Sequence, residues 1–587
     1  MRKEYAWRSL SLASIFIIIG VLIIVQMVRI QVSVEVADFR IIADGNKGWI
    51  ETVYPARGEI YDRNGKLLAG NQNVYELGVT LEQIENKDSI ATTLSTVLDL
   101  DYINVLDAIN NASEDQIYLR ITDYVSTAQA ENLKRIKNAF EKENENNPHE
   151  GQDSLAGLNF REHLSRSYPE EAIASNVIGF VNQSGRGFFG IEEKYNDLLA
   201  GIPVQVWVPA DPNRVEEIPQ VPDGAALILT IDRELQAATE ATLDQSLYDY
   251  GAQTGTIIVM DPKNGEILAM ASTPRLNLSK FSEYDQVFNN ASEFNRAINM
   301  PYEPGSVFKI LTMAAALDLG VVSPATSYID MGVFSYGGAD IENWDQGAWG
   351  LQDMTDCLQN SLNVCLAWIA AEMGTENFYD YMSRFGIGHP TGVDLSGEAG
   401  GRLKIPGDAD WYPVDLVTNS FGQGVTTTPI QMMMAVSAIA NEGKMVTPHI
   451  LYGMVRDEKQ YNFPPQDAGR PISRETARTL NEMLANSLIG GDSEALLSGY
   501  RLAGKTGTAQ IPTEWGWYSY DETNASFIGW GPVDDPQFMI YVWLEKPTAS
   551  SWASYTAAPV FAQVAEETIR LLNIPPDIIR QQYVSGQ

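Results

Sequence analysis

Cysteine and histidine are scarce: two cysteines, Cys357 and Cys365, and four histidines, His149, His163, His389 and His449, stand in 587 residues. The histidines are scattered without ligand spacing, so neither a metal site nor any other cofactor is expected. Hydrolytic or acyl-transfer chemistry must then draw its nucleophile and base from other side chains. The cysteines lie eight apart in a stretch that reads as helical. On a helix that spacing separates them by about 12 Å, beyond disulfide reach, and they are expected as small, buried apolar side chains. Positive charge is also thin: 40 Lys and Arg face 76 Asp and Glu, a formal charge of −36. A duplex would be repelled rather than held, which excludes nucleic acid as a partner, and a broad anionic-membrane-binding surface is disfavoured too.

Long hydrophobic runs are limited to one. Leu10 to Val28 is almost wholly apolar and just spans a hydrocarbon core of about 30 Å. Arg2, Lys3 and Arg8 precede it, which sets residues 1–9 in the cytoplasm and everything after Arg29 outside. A cleaved signal peptide is the rival, but Gln26-Met27-Val28-Arg29-Ile30 offers no small-residue cleavage site. The expectation is a single-pass anchor over 10–28 in the cytoplasmic membrane.

Beyond the anchor the chain divides by composition into a first external domain over 29–202, a proline-containing linker over 203–224, a large domain over 225–575 and a tail over 576–587. Arg57 to Ala69 reads as strand, tight turn and strand around Asn64-Gly65. Leu81 to Phe140 reads as mostly helical, Glu141 to Asp153 as an exposed loop, and Arg166-Ser167-Tyr168-Pro169 as the opening of a helical stretch through Ile178. A helix entered through Gly187 to Glu192 ends near Gly201. In the large domain, Thr256–Met260 and Glu266–Ala271 form a hairpin, and a helix-rich middle runs from about Pro304 to Gly491. Strand patterns return at Tyr500–Gln510, Ala525–Trp530 and Phe538–Leu544 before a last helix, Val560–Leu572. Strands at both ends with helices between predict an α+β fold, one antiparallel sheet flanked by a helical lobe.

Three short elements carry chemistry. Ser306-Val307-Phe308-Lys309 comes directly after Pro304-Gly305 and opens an apolar segment, so serine and lysine share a helix face on which hydroxyl and amine can meet. Apolar neighbours lower the pKa of Lys309 and fit it as a base, while the first helical turn favours negative charge developing at Ser306. Alone, the pair reads equally as a capping serine and a snorkelling lysine. Ser361-Leu362-Asn363 lies on the same lobe, where a loop between helices would point hydroxyl and amide into one cleft. Lys505-Thr506-Gly507-Thr508 lies on an expected strand, and Gly504 and Gly507 suit a close approach by substrate backbone. Its lysine supplies positive potential and its threonine hydroxyls can hold a carboxylate. The three in this order form the set found in penicillin-binding proteins and class A β-lactamases.

On these residues the external part resembles a class B penicillin-binding protein over nearly its full length. Arg57-Gly58 with Asp62 to Gly65, Arg166 to Pro169, and Gly190-Ile191-Glu192 resemble signatures of that family's N-terminal pedestal, or dimerisation, domain. Ser420-Phe421-Gly422-Gln423-Gly424, Thr428-Pro429-Ile430-Gln431, Gly529 to Val533 and Ala558 to Phe561 resemble most the division-specific, FtsI-like branch. The middle motif has leucine where class A β-lactamases have aspartate, which tilts away from a hydrolase.

The resemblance implies a serine D,D-transpeptidase that cross-links peptidoglycan stem peptides and is acylated by β-lactams. Its precursor would be lipid-linked, and its partner a membrane glycosyltransferase of the FtsW or RodA kind. Ser306 would be the nucleophile and Lys309 its base, Ser361 would relay a proton, and Asn363 would orient the acyl chain. Lys505, Thr506 and Thr508, with Gly507 between them, would hold the substrate carboxylate. The rivals are an elongation-type transpeptidase, an acyl hydrolase (D,D-carboxypeptidase or β-lactamase), a β-lactam sensor and a silent scaffold.

Overall fold

The computed structural model of the protein describes residues 2–32, 48–113, 115–147, 152–209, 221–289, 294–512 and 518–585. Parts of the loop expected over 141–153 and of the linker expected over 203–224 lie outside the described residues, but the start of that loop is not a loop: 141–146 continues the helix Thr127–Asn146. The chain forms two compact units, residues 1–56 with 201–223 and residues 57–200 with 224–587. The first holds the helix Arg2–Val32, in which Ser11–Arg29 is long and apolar enough to cross a membrane. It also holds an antiparallel ribbon pairing Gly48–Val53 with Val204–Pro209. The start of the expected linker is therefore a strand. Val204, Val206, Trp207 and Val208 have the β-branched and aromatic side chains that suit a pleat, and they prevail over the neighbouring prolines.

In the second unit, Ile60–Tyr61 turns into the long strand Leu67–Thr80, and Asp62 closes the turn by accepting N–H bonds from Asn64 (2.8 Å) and Lys66 (2.7 Å). The long strand pairs with Leu158–Ser167 from Gly70↔Ser167 to Val79↔Leu158 and with Tyr118–Ser126. These pairings correct two expectations. Tyr118–Ser126 is a strand inside the stretch expected as mostly helical, and Arg166-Ser167 ends a strand instead of opening a helix. Leu158–Ser167 is rich in polar residues and carries no clear hydrophobic period, while in Tyr118–Ser126 the alternation of Leu119, Ile121 and Val125 is broken by Asp123 and is too short to stand out between the flanking helices. The sheet continues through Ala226–Leu229, Leu451–Arg456 and Lys459–Asn462.

Three of the singled-out segments meet at a buried carboxylate. Glu192, with a fully buried side chain, accepts from Arg57 Nε (2.7 Å) and Arg166 Nε (2.7 Å). Arg57 also donates to the Glu192 carbonyl at 3.0 Å, and Arg166 to the Gly58 carbonyl at 2.9 Å. Removing the shared anion strands two guanidinium groups in the interior. Glu192→Ala is expected to lower stability by about 3–5 kcal/mol, read as an earlier unfolding transition in calorimetry. A melting curve superimposable on wild type would show that the cluster is not structural.

A second, five-stranded sheet comprises β1 (Thr254–Met260), β2 (Ile267–Ser272), β3 (Ala503–Pro512), β4 (Tyr518–Gly531) and β5 (Phe538–Glu545), in the antiparallel order β2-β1-β5-β4-β3. Alternate residues feed different cores. Ile257, Val259, Phe527, Ile540 and Val542 pack beneath α1 (Arg233–Tyr250) and the C-terminal helix Ala557–Leu571. Ile258, Met260, Ile528, Met539, Tyr541 and Trp543 join the core of the helical lobe. Burial on both faces explains why β1, β2 and β5 read as nearly continuous apolar runs. The α+β plan expected from the sequence is thus present. The lobe also carries short ribbons, Tyr328–Asp330 with Gly350–Gln352 and Val333–Tyr336 with Ala339–Glu342. Asp577–Ser585 is a helix within the segment expected as a tail.

Candidate active site

Ser306 lies in the 3₁₀ turn Gly305–Phe308, which runs into α2 (Lys309–Asp318). Glycines fix where this turn sits. Gly305 has φ +59°, and a Cβ there would stand 3.0 Å from Ala509 Cβ and 3.1 Å from the Thr508 carbonyl oxygen. A Cβ on Gly507 would meet Ser526 Oγ at 2.5 Å and the Pro304 oxygen and Val307 Cγ1 at 2.9 Å. The turn and the edge strand β3 therefore lie backbone to backbone, which sets Ser306 beside Thr506, Gly507 and Thr508. This corrects the sequence-based account of the glycines: the close approach at Gly507 is made by the protein itself. At Gly504 the space is taken by the Phe527 ring, 2.8 Å from where a Cβ would be. The Ser420–Gly424 segment backs the same turn. Gly422 accepts from Gly305 N at 3.1 Å, and the Ser420 carbonyl accepts from Thr312 Oγ1 at 2.7 Å.

Ser361 joins α3 (Met354–Gln359) to α4 (Asn363–Met373). It is left-handed, with φ +55°. The Leu362 N–H donates to the Cys357 carbonyl (3.0 Å) and the Ser361 N–H to the Leu358 carbonyl (3.2 Å). That bond pair is a Schellman motif, and its left-handed position normally belongs to glycine. A side chain there costs about 1–2 kcal/mol. Cys357 and Cys365 form a disulfide with their Cα atoms 6.1 Å apart, so the expectation of two free, apolar cysteines is wrong. The distance of about 12 Å assumed one unbroken helix; the chain reverses at Ser361 and brings the two helix ends together.

The two lysines converge on this turn. Lys309, fully buried, donates from Nζ to the Ser361 carbonyl (2.6 Å) and Asn363 Oδ1 (2.8 Å), with Ser361 Oγ at 3.2 Å. Lys505, only 4% exposed, donates to Ser361 Oγ (3.0 Å) and to the Thr506 carbonyl and Oγ1 (both 3.3 Å). Thr508 Oγ1 accepts from Ala553 N at 3.2 Å. Among the described residues neither lysine has a carboxylate at ion-pair distance. Burial accordingly holds Lys309 well below the ordinary lysine value, and the charge on Lys505 pushes the same way. Burial lowers Lys505 to about 7. A neutral Lys309 has two hydrogens and one lone pair. The carbonyl and the amide oxygen can only accept, so they take the hydrogens and leave the lone pair for a hydroxyl.

The structure thus gathers Ser306, Lys309, Ser361, Asn363, Lys505, Thr506, Gly507 and Thr508 in one cluster. It does not close the expected hydroxyl–amine bond: among the described residues Ser306 Oγ has no hydrogen bond to Lys309, whose hydrogens go to the two acceptors from the Ser361 turn. Two features escaped the sequence reading. One is the disulfide. The other is an aromatic rim in which Trp344 donates to the Asn360 carbonyl (3.1 Å) and meets Trp552 edge-on, with ring centroids 5.1 Å apart. These tryptophans are distant in sequence, and no local pattern pairs them.

Known proteins agree with this geometry. Residues 255–566 match the penicillin binding protein transpeptidase domain, and residues 52–217 match the penicillin-binding protein dimerisation domain. Stage V sporulation protein D of Bacillus subtilis is 32% identical over 539 residues, covering 89% of this chain and 79% of its own. Peptidoglycan D,D-transpeptidase FtsI of Escherichia coli is 28% identical, covering 90% and 86%, and MrdA of Acinetobacter baumannii is 28% identical, covering 89% and 82%. Among solved structures, penicillin-binding protein 3 of Mycobacterium tuberculosis complexed with aztreonam superposes with a TM-score of 0.68 at 25% identity, over 90% of this chain and 98% of that one. Differently named relatives at such similar identities do not separate the branches of the family. The chain belongs to the class B penicillin-binding proteins, peptidoglycan D,D-transpeptidases that carry a dimerisation domain ahead of the transpeptidase domain.

Proposed function

We propose that this transpeptidase cross-links stem peptides of the septal wall, with Ser306 as nucleophile, and that β-lactams acylate the same oxygen. The observation that carries the reading is the meeting of two buried lysines on Ser361 Oγ beside the Ser306 turn. Neutral Lys309 takes the Ser306 proton as Oγ bonds to the carbonyl carbon of the penultimate D-Ala. Backbone N–H groups of Ser306 and Thr508 receive the oxyanion. The C–N bond then breaks, and the leaving D-Ala nitrogen receives its proton through Ser361. The amine of a second stem peptide attacks the acyl-enzyme and regenerates Ser306, while Asn363 orients the acyl chain. Charged Lys505, with Thr506 and Thr508, holds the terminal carboxylate of the donor.

The anchor at 10–28 with positive residues before it supports a catalytic domain outside the cytoplasmic membrane. The disulfide supports the same placement, since such bonds persist in oxidising compartments. On this reading residues 29–202 form the pedestal and 225–575 the transpeptidase domain, and a membrane glycosyltransferase of the FtsW or RodA kind polymerises glycan from lipid-linked precursor. The septal assignment is supported by the Ser420–Gly424 and Gly529–Val533 patterns.

The test is turnover of a lipid-linked precursor by the full-length protein with a glycosyltransferase supplied, resolving products by mass. Cross-linked dimer is expected to dominate, whereas D-Ala release into monomer alone would make the protein a carboxypeptidase. In cells, depletion should give filaments and a fluorescent fusion should gather at mid-cell. Rounded cells with side-wall fluorescence would assign it to elongation.

A further inference from the structure

Cys357 and Cys365 bracket Ser361 symmetrically, four residues before it and four after. The segment between them has conflicting demands. The left-handed position that ends α3 is unstrained only for glycine, yet the site needs a hydroxyl there to stand between Lys309 and Lys505. Relaxed to an ordinary right-handed conformation, Ser361 would turn both its hydroxyl and its carbonyl, and the carbonyl is the nearest acceptor of Lys309.

Cys357 is also the residue whose carbonyl accepts the N–H that closes the turn, and Cys365 lies in the first turn of α4, which begins with Asn363. The cross-link therefore ties the last turn of one helix to the first turn of the next, across the one strained residue. Both cysteines are fully buried against the lobe's core.

We propose that the Cys357–Cys365 disulfide is a positioning element for the acylation step: it holds Ser361 in its left-handed conformation so that the Ser361 carbonyl, Ser361 Oγ and Asn363 Oδ1 stay on Lys309. The cysteines touch no reacting atom and act through Ser361, so the inference rests on the assignment of Ser361 to the catalytic machinery. The charged groups facing that turn are Lys309 from α2 and Lys505 from β3. With the cross-link gone, the turn opens, water reaches Lys309, and its proton becomes harder to remove.

The test measures acylation of the full-length protein in detergent by a fluorescent penicillin across a range of pH. It compares wild type, Cys357→Ala/Cys365→Ala, Ser361→Ala, and wild type reduced with a phosphine and then re-oxidised with diamide. The double variant and the reduced protein are expected to acylate about a hundredfold more slowly, the scale of a small misplacement of a catalytic group. Their acid limb should move to higher pH, and re-oxidation should restore both rate and profile. A merely stabilising disulfide would change the melting temperature and leave the pH profile in place. Acylation within twofold of wild type in both disulfide-free forms, or slower acylation with an unchanged profile, overturns the inference. Normal acylation by Ser361→Ala would instead overturn the role given to Ser361.

Discussion

Ser306→Ala is expected to form no covalent adduct with a fluorescent penicillin, a loss on the scale of the roughly millionfold fall caused by removal of a serine nucleophile. A second hydroxyl in the cluster makes this a discriminating result. Ser361 Oγ also lies beside lysine nitrogens, but it is already engaged, accepting from Lys505 at 3.0 Å with Lys309 at 3.2 Å. It also sits at a helix-ending turn whose backbone is bonded to Cys357 and Leu358. Ser306 Oγ is half-buried, beside the Thr506–Thr508 strand where a substrate carboxylate would be held. Substitution removes a single oxygen from a partly exposed side chain, so the melting temperature should hold to within about 0.5 kcal/mol of stability. Mass mapping of the wild-type adduct should find it on the peptide containing Ser306. Labelling that survives in the alanine variant, or that maps to Ser361, would overturn the assignment.

Much of this was legible in the sequence because its signals are local. A strand buried on both faces, such as Phe538–Glu545, shows an unbroken apolar run whatever its neighbours are. Motifs that carry chemistry keep their residue types, so Ser306, Ser361 and Lys505 could be joined before their distances were known. What escaped depends on contacts between distant residues. Tyr118–Ser126 is a strand paired with Leu67–Thr80, and its alternation of Leu119, Ile121 and Val125, broken by Asp123, is too short to mark it among the flanking helices. The disulfide was misjudged because a left-handed serine breaks the helix, and serine gives no warning of that where glycine would have. The space beside Gly507 belongs to Ser526 and the Pro304–Val307 turn, which only the packed sheet reveals.

The two lysines are expected to separate by kind of substitution. On the proposed mechanism Lys309 has to be neutral when Ser306 attacks, and burial, with the charge of Lys505 beside it, holds it well below the ordinary lysine value. Lys309→Arg keeps a cation that cannot release its proton, so the acylation rate should fall at least the roughly hundredfold typical of a lost general base. Lys505 has to be charged to hold the substrate carboxylate, and its value of about 7 means that charge is lost as pH rises through neutrality. Wild-type acylation should therefore be bell-shaped, rising with pH as Lys309 deprotonates and falling as Lys505 does. Lys505→Arg should retain appreciable acylation and lose the falling limb, because a guanidinium stays charged there, whereas Lys505→Ala should lose substrate attraction and much of the rate. Stability moves in the opposite sense. Between about 7 and the ordinary lysine value of 10.5 the unfolded chain binds the Lys505 proton and the folded chain does not, so stability should rise with pH across that window. Second-order acylation rates of all three variants over a range of pH, with melting temperatures alongside, decide the matter. Near-wild-type acylation by Lys309→Arg, or a falling limb that persists in Lys505→Arg, would show that the base and the carboxylate anchor have been assigned to the wrong lysines.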